Sequence, residues 1–107
     1  MQTWLVLVLA GLLEVVWAVG LKQSEGFTKL VPSVLTVGAM IGSLAALGYV
    51  VKELPIGTAY AVWVGIGVIG TAIAGMILFD EPMAWSRSLF LVLVVVGLVG
   101  LEVTAPA

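Results

Sequence analysis

The sequence predicts an all-α integral membrane protein with four transmembrane helices, arranged as a single domain over residues 1–107. Hydrophobic residues make up 63% of the chain, charged residues only 9%, and the mean hydropathy is +1.30. A chain this short cannot bury so much apolar surface inside a water-soluble core. Its apolar residues also form four runs of spanning length, and charged residues stand mainly where these runs end.

The four predicted helices cover residues 4–21, 31–51, 56–79 and 85–103. Each is close to the roughly 20 residues that a spanning helix needs. Pro32 fits the first turn of the second helix, where its missing N–H costs little. The fourth run is short between Arg87 and Glu102, so both side chains should reach back to the interfaces. The first run is not predicted to be a signal peptide, because it lacks a basic flank and contains Glu14.

Composition excludes several classes of function. Four Lys and Arg residues, a net charge of −2 and a pI near 4.7 leave no basic surface for nucleic acid. The chain has no Cys and no His, which removes disulfides, thiol nucleophiles and Cys or His metal sites. No nucleophile–base pair is visible, so the sequence predicts neither an enzyme nor a cofactor or metal site. Its basic residues give only a modest bias in orientation, and insertion in both directions is possible.

Glu14 is the one ionisable residue expected near the bilayer midplane, about 15 Å along the first helix. An acidic side chain at that depth costs about 2.5–3.5 kcal/mol on insertion scales, and no Lys or Arg lies in a span interior to pair with it. Burial disfavours the charged form, so this carboxyl can exchange a proton for a cation. The alternative is a protonated glutamic acid that only joins helices by hydrogen bonds.

Helical spacing and depth along the helices select four companions for Glu14 from the other polar and aromatic residues. Trp17 lies one turn deeper, and its indole N–H needs an acceptor that Glu14 could supply. Ser43, Tyr60 and Trp63 fall at comparable depths on the second and third helices, and the two aromatic faces can hold a desolvated cation. Three alternatives remain open: Trp17 only packs, Ser43 bonds to its own helix, and Tyr60 anchors at the interface.

Small residues predict where helices approach closely. Gly11 shares the face of Glu14 and allows a neighbouring helix to come near. Gly65 and Gly67 lie inside the third span, where they permit either a kink or close packing. Gly97 and Gly100 suggest a helix–helix seam on the fourth span, with lipid contact as the alternative. A single carboxyl group offers few ligands for a cation. This favours a dimer in which two chains each contribute one Glu14 carboxyl to a shared site.

Four segments of the chain together resemble the small multidrug resistance transporters along the whole sequence. They are GLLEVVWA at 11–18, EGFTKL at 25–30 with PS at 32–33, PIGTAYAVW at 55–63, and EP at 81–82. The resemblance implies an antiparallel, dual-topology dimer in the bacterial inner membrane that exchanges protons for cations. A Trp at position 17 resembles the guanidinium-exporter branch, which implies a substrate site at Glu14, Trp17, Ser43, Tyr60 and Trp63.

The resemblance implies that the protein is a proton-coupled antiporter, which exports guanidinium or small substituted guanidinium cations. Two departures from the branch bear on this: Val64 replaces a usual Ser or Thr, and Glu102 stands where Lys is common. The expected partners are the cation, protons, membrane lipid and a second copy of the chain, with a paralogue as the alternative second subunit. Two other functions stay open: export of quaternary-ammonium or aromatic cations, and a non-transporting structural role in a membrane complex.

Overall fold

The computed structural model describes residues 2–104 and contains four helices over that range. They are α1 (Gln2–Gln23), α2 (Leu30–Val50), α3 (Ile56–Leu78) and α4 (Trp85–Val103). Each helix is long and apolar enough to cross a membrane. The prediction of an all-helical chain with four transmembrane spans is therefore confirmed.

Helix boundaries differ from the predicted ones by at most two residues, and those of α4 are as predicted. The largest difference is in α1, which continues through the polar residues Lys22 and Gln23. Its last turn is closed by Ser24, whose N–H donates to the carbonyl of Gly20 (2.8 Å) and whose hydroxyl donates to that of Leu21 (2.7 Å). Polar side chains at a helix end can face water while the backbone stays helical, so hydropathy places this boundary too early.

The first helix is the centre of the protomer, because α1 packs along both α2 and α3. The second and third helices touch each other only over a short stretch, and α4 packs against α3 alone within the described part of the chain. A small buried core joins the first three helices near the start of α1. It consists of Leu7, Ala10, Val50, Ala59 and Trp63.

No residue of α4 is buried within the described protomer. Its outward side chains are mostly Val, Leu and Phe, which suit lipid or another apolar helix. An added Cβ at Gly97 or Gly100 would meet nothing within 4 Å among the described residues. The seam suggested by these two glycines is therefore not a contact within one chain. Trp85, at the start of α4, is 77% exposed, as expected of a residue at the membrane interface.

Candidate cation site

The carboxyl group of Glu14 lies on α1 against Gly67 of α3. A Cβ added at Gly67 would overlap the Glu14 carboxyl, so the missing side chain at position 67 creates the space that this group occupies. The Oε1 atom of Glu14 is buried and has no hydrogen-bond partner within residues 2–104. A buried polar atom without a partner is destabilising, and a bound ion, a proton or a water molecule is one explanation for it.

Glu14 and Trp17 line one cavity of about 350 Å³, between α1 and α3. The indole Nε1 of Trp17 is also buried and finds no acceptor in the described chain. The predicted hydrogen bond from Trp17 to Glu14 is therefore wrong for the single protomer. Residues three positions apart lie on the same face of a helix, so Glu14 and Trp17 are neighbours. Their side chains border the same cavity but form no hydrogen bond with each other.

Ser43 joins the three inner helices through two hydrogen bonds. The indole Nε1 of Trp63 donates to its Oγ at 2.9 Å, and this hydroxyl donates to the carbonyl of Ala10 at 2.7 Å. Ser43 is fully buried and Trp63 is 7% exposed. The alternative in which Ser43 bonds only to its own helix is therefore wrong. In an α-helix the carbonyl of Ala10 faces the N–H of Glu14, so this chain of bonds ends at the turn that carries the carboxyl.

Tyr60 packs on Trp63, with ring centroids 5.6 Å apart and planes inclined by 44°. The tyrosine is 54% exposed, and it borders a different cavity, of about 370 Å³, between α3 and α4. Within one protomer the five predicted residues therefore form two groups. Glu14 and Trp17 line the first cavity, whereas Ser43, Trp63 and Tyr60 form a connected set that reaches α1 through a backbone carbonyl.

Glycines bring these helices together at three of the positions selected from the sequence. A Cβ added at Gly11 would lie 2.7 Å from Cγ2 of Ile66, and one added at Gly65 would overlap Leu98 of α4. With Gly67 beside Glu14, the contacts of α3 with α1 and with α4 each include a position where a missing side chain allows the close approach. These contacts are close packing; a hinge at Gly65 and Gly67 stays a prediction.

Two polar residues that line the Glu14 cavity were missed by sequence reasoning. Thr71 lies one turn beyond Gly67 on α3, and Arg87 reaches the cavity from the first turn of α4. Spacing could have indicated Thr71, since it is the hydroxyl residue four positions after Gly67. Arg87 was expected only to extend toward the interface. No sequence signal indicates that its stem passes this cavity, because that depends on how α4 packs against α3.

Within residues 2–104, a carboxyl oxygen without a hydrogen-bond partner lies beside a cavity in the membrane-spanning part of a four-helix bundle. The family model described as Small Multidrug Resistance protein matches residues 2–94, and curated relatives are named as exporters, which points to a membrane transporter rather than an enzyme. The chain belongs to the small multidrug resistance family. It is a multi-pass protein of the inner membrane.

Curated relatives are similar over nearly the whole chain. The guanidinium exporter of Escherichia coli (strain K12) is 55% identical over 103 residues, which cover 96% of this chain and 98% of the relative. The guanidinium exporter of Citrobacter freundii is 53% identical over the same shares of the two chains. Another, from Escherichia coli O6:H1, is 56% identical over 103 residues, again with 96% and 98% covered.

Proposed function

We propose that this protein exports guanidinium cations in exchange for protons, and that Glu14 binds both. The observation that carries the proposal is the buried Oε1 atom of Glu14, which has no partner in the described chain and belongs to a carboxyl that lines a cavity. Relatives that share more than half of the aligned residues bear the name guanidinium exporter. A carboxyl in this position has two natural ligands, a proton and a cation.

Guanidinium suits a carboxylate because it is planar and offers paired N–H donors to the two carboxylate oxygens. An ionised Glu14 accepts these donors, whereas a protonated Glu14 loses the charge that attracts the cation. The two ligands therefore exclude each other at this residue. Release of the cation on one side of the membrane and of the proton on the other makes the exchange obligatory.

The other predicted site residues have separate roles in this proposal. Ser43 and Trp63 fix α1 to α2 and α3 at the turn preceding Glu14. Trp17 supplies an N–H donor that would stabilise the ionised carboxylate after a change of rotamer. Tyr60 extends the aromatic wall begun by Trp63. Each role predicts a different phenotype, because among these four residues only Ser43 and Trp63 join helices through hydrogen bonds.

An antiparallel dimer completes the proposed site. A single chain supplies one Glu14, and α4 has no buried residue of its own. Pairing two chains brings a second carboxyl to the cavity and covers apolar helix surface. A dimer with a paralogue would also supply a second carboxyl and cover this surface. Expressing the protein without any paralogue distinguishes the two assemblies, because only a homodimer would then transport.

Proteoliposomes test the proposal. A guanidinium gradient should drive proton movement, measured with a pH-sensitive dye inside the vesicles. Glu14→Gln should abolish this movement, whereas Glu53→Gln, which neutralises an exposed carboxyl after α2, should preserve it. Guanidinium-driven proton flux that persists in Glu14→Gln would rule out the mechanism. The absence of any ion movement by the purified wild type would favour the structural role instead.

The half-exposed ring of Tyr60, which packs on the buried Trp63, favours one second candidate, export of aromatic or quaternary cations. Such cations have no N–H donors and depend on aromatic faces for binding. Transport of tetraphenylphosphonium and of guanidinium should be compared in the same vesicles. A preference for tetraphenylphosphonium would support this candidate over guanidinium export.

A further inference from the structure

A second cation-binding arrangement lies at the end of the bundle where α1 stops and α3 leads into α4. The Nζ atom of Lys22 is 3.3 Å from Oε2 of Glu81 and 4.9 Å from the centre of the Phe79 ring. One cation is thus held between a carboxylate and an aromatic face. Lys22 lies on α1 and the other two residues follow α3, so the contact joins segments 59 positions apart.

The α3–α4 connection holds this carboxylate in place without help from Lys22. The N–H groups of Phe79 and Glu81 both donate to the carbonyl of Gly75, at 3.0 and 3.2 Å. Asp80, between them, turns the chain with a φ of 52°. A Cβ at Gly75 would overlap the Glu81 carboxyl, which lies directly on the glycine. These backbone hydrogen bonds hold the segment that carries the carboxylate and the ring, whereas Lys22 reaches it only through a long side chain that is 58% exposed.

A guanidinium cation fits this arrangement better than an ammonium does. It can donate two parallel N–H bonds to one carboxylate and stack on an aromatic ring, whereas Lys presents a compact charge. The side chains of Lys22 and Glu81 are 58% and 35% exposed, and ion pairs with this much exposure contribute little stability. Replacing Lys22 by a free cation should therefore cost little free energy.

A path of small residues connects this arrangement to Glu14. The cavity that contains Glu14 and the cavity below Lys22 and Glu81, of about 50 Å³, share Ala18 and Thr71. Along the path, residues recur every four positions on both helices: Glu14, Ala18 and Lys22 on α1, and Gly67, Thr71 and Gly75 on α3. Lys22 and Glu81 thus lie at one end of the groove between α1 and α3, near the helix ends.

We infer that Glu81 and Phe79 form a second, peripheral site for guanidinium-type cations, which Lys22 occupies when no substrate is bound. A cation that displaces Lys22 enters the groove leading to Glu14. This inference rests on the proposed function, and it adds a binding site that Glu14 does not provide. It assigns opposite roles to the two partners of one ion pair: Glu81 binds the cation, and Lys22 competes with it.

Opposite effects on transport distinguish this arrangement from a purely structural ion pair. Lys22→Gln should lower the KM for guanidinium by about threefold, and Glu81→Gln should raise it by a similar factor, with kcat nearly unchanged. A structural pair would shift KM in the same direction in both variants, and that result would overturn the inference. Lys29→Gln and Glu25→Gln, which break an exposed ion pair in the α1–α2 connection, control for surface charge and should leave KM unchanged.

Binding can also be measured without transport. In Glu14→Gln, incorporated into lipid nanodiscs, guanidinium chloride should shift the amide resonances of Gly75 and Phe79 saturably, and sodium chloride at equal ionic strength should not. Adding Glu81→Gln should remove these shifts. Shifts that fail to appear in Glu14→Gln would overturn the inference even if the wild type transports guanidinium. Saturable shifts together with a wild type that does not exchange protons would overturn only the proposed function.

Discussion

Glu14 occupies space that exists only because residue 67 is glycine. The carboxyl lies where a Cβ at that position would stand, so helix α3 and the proposed proton and cation site constrain each other directly. Gly67→Ala should therefore displace the carboxyl or separate the helices, and guanidinium transport should fall by at least about tenfold. Transport in proteoliposomes measures this loss.

The matched control for this prediction is Gly38→Ala on α2. A Cβ there meets nothing within 4 Å in the described structure, and alanine is the better helix former. Gly38→Ala should preserve transport and thermal stability. Equal activity of Gly67→Ala and wild type would mean that the carboxyl can leave this position without consequence.

Ser43 and Trp63 should be coupled energetically, since each satisfies the other. Ser43→Ala leaves the buried indole N–H of Trp63 without an acceptor and should cost about 1–3 kcal/mol. Trp63→Phe removes the donor and keeps the bond from Ser43 to Ala10. Once the indole N–H is gone, the serine substitution should cost less. A double-mutant cycle of thermal unfolding in detergent measures this, and strictly additive losses would contradict the coupling.

Guanidinium affinity should depend on pH through Glu14. Protons and guanidinium compete for the same carboxylate, so lowering the pH should weaken apparent affinity, by up to about tenfold per pH unit for each proton displaced. Tryptophan fluorescence from pH 6 to 9 can follow binding, because Trp17 lines the Glu14 cavity. An affinity that stays flat across this range in the wild type would exclude Glu14 as the shared site.

Trp17 should influence which cations are transported. Its ring fills one side of the Glu14 cavity, so Trp17→Gly should enlarge the space and remove an N–H donor. We expect guanidinium transport to fall and bulkier cations to gain relative to it. Trp85→Phe alters an exposed tryptophan at the end of α4 and should leave the preference unchanged. An unaltered preference in Trp17→Gly would reduce Trp17 to a packing role.

Much of the architecture was predictable because the membrane imposes simple constraints. Length and hydropathy identified the four helices, and the cost of a buried carboxyl identified Glu14 as exceptional. Depth along the helices also selected Ser43 and Trp63, which prove to be hydrogen-bonded to each other. Helix ends were less certain, because polar residues such as Lys22 continue a helix into water.

Side-chain rotamers and the path of the helix connections were not predictable. Depth places Trp17 near Glu14, but rotamers determine that the two side chains border one cavity without bonding. The contact between Lys22 and Glu81 could not be predicted either, because it depends on the path of the α3–α4 connection. A pair separated by 59 positions leaves no local pattern in a single sequence.

The unburied fourth helix should make the proposed dimer sensitive to dilution. Because α4 packs only against α3 and buries no residue of its own within the described chain, the protomer gains little from that helix alone. In the proposed dimer, the missing stabilisation comes from association, which follows mass action. Specific activity should then fall as the lipid-to-protein ratio rises, even though each chain keeps its four helices.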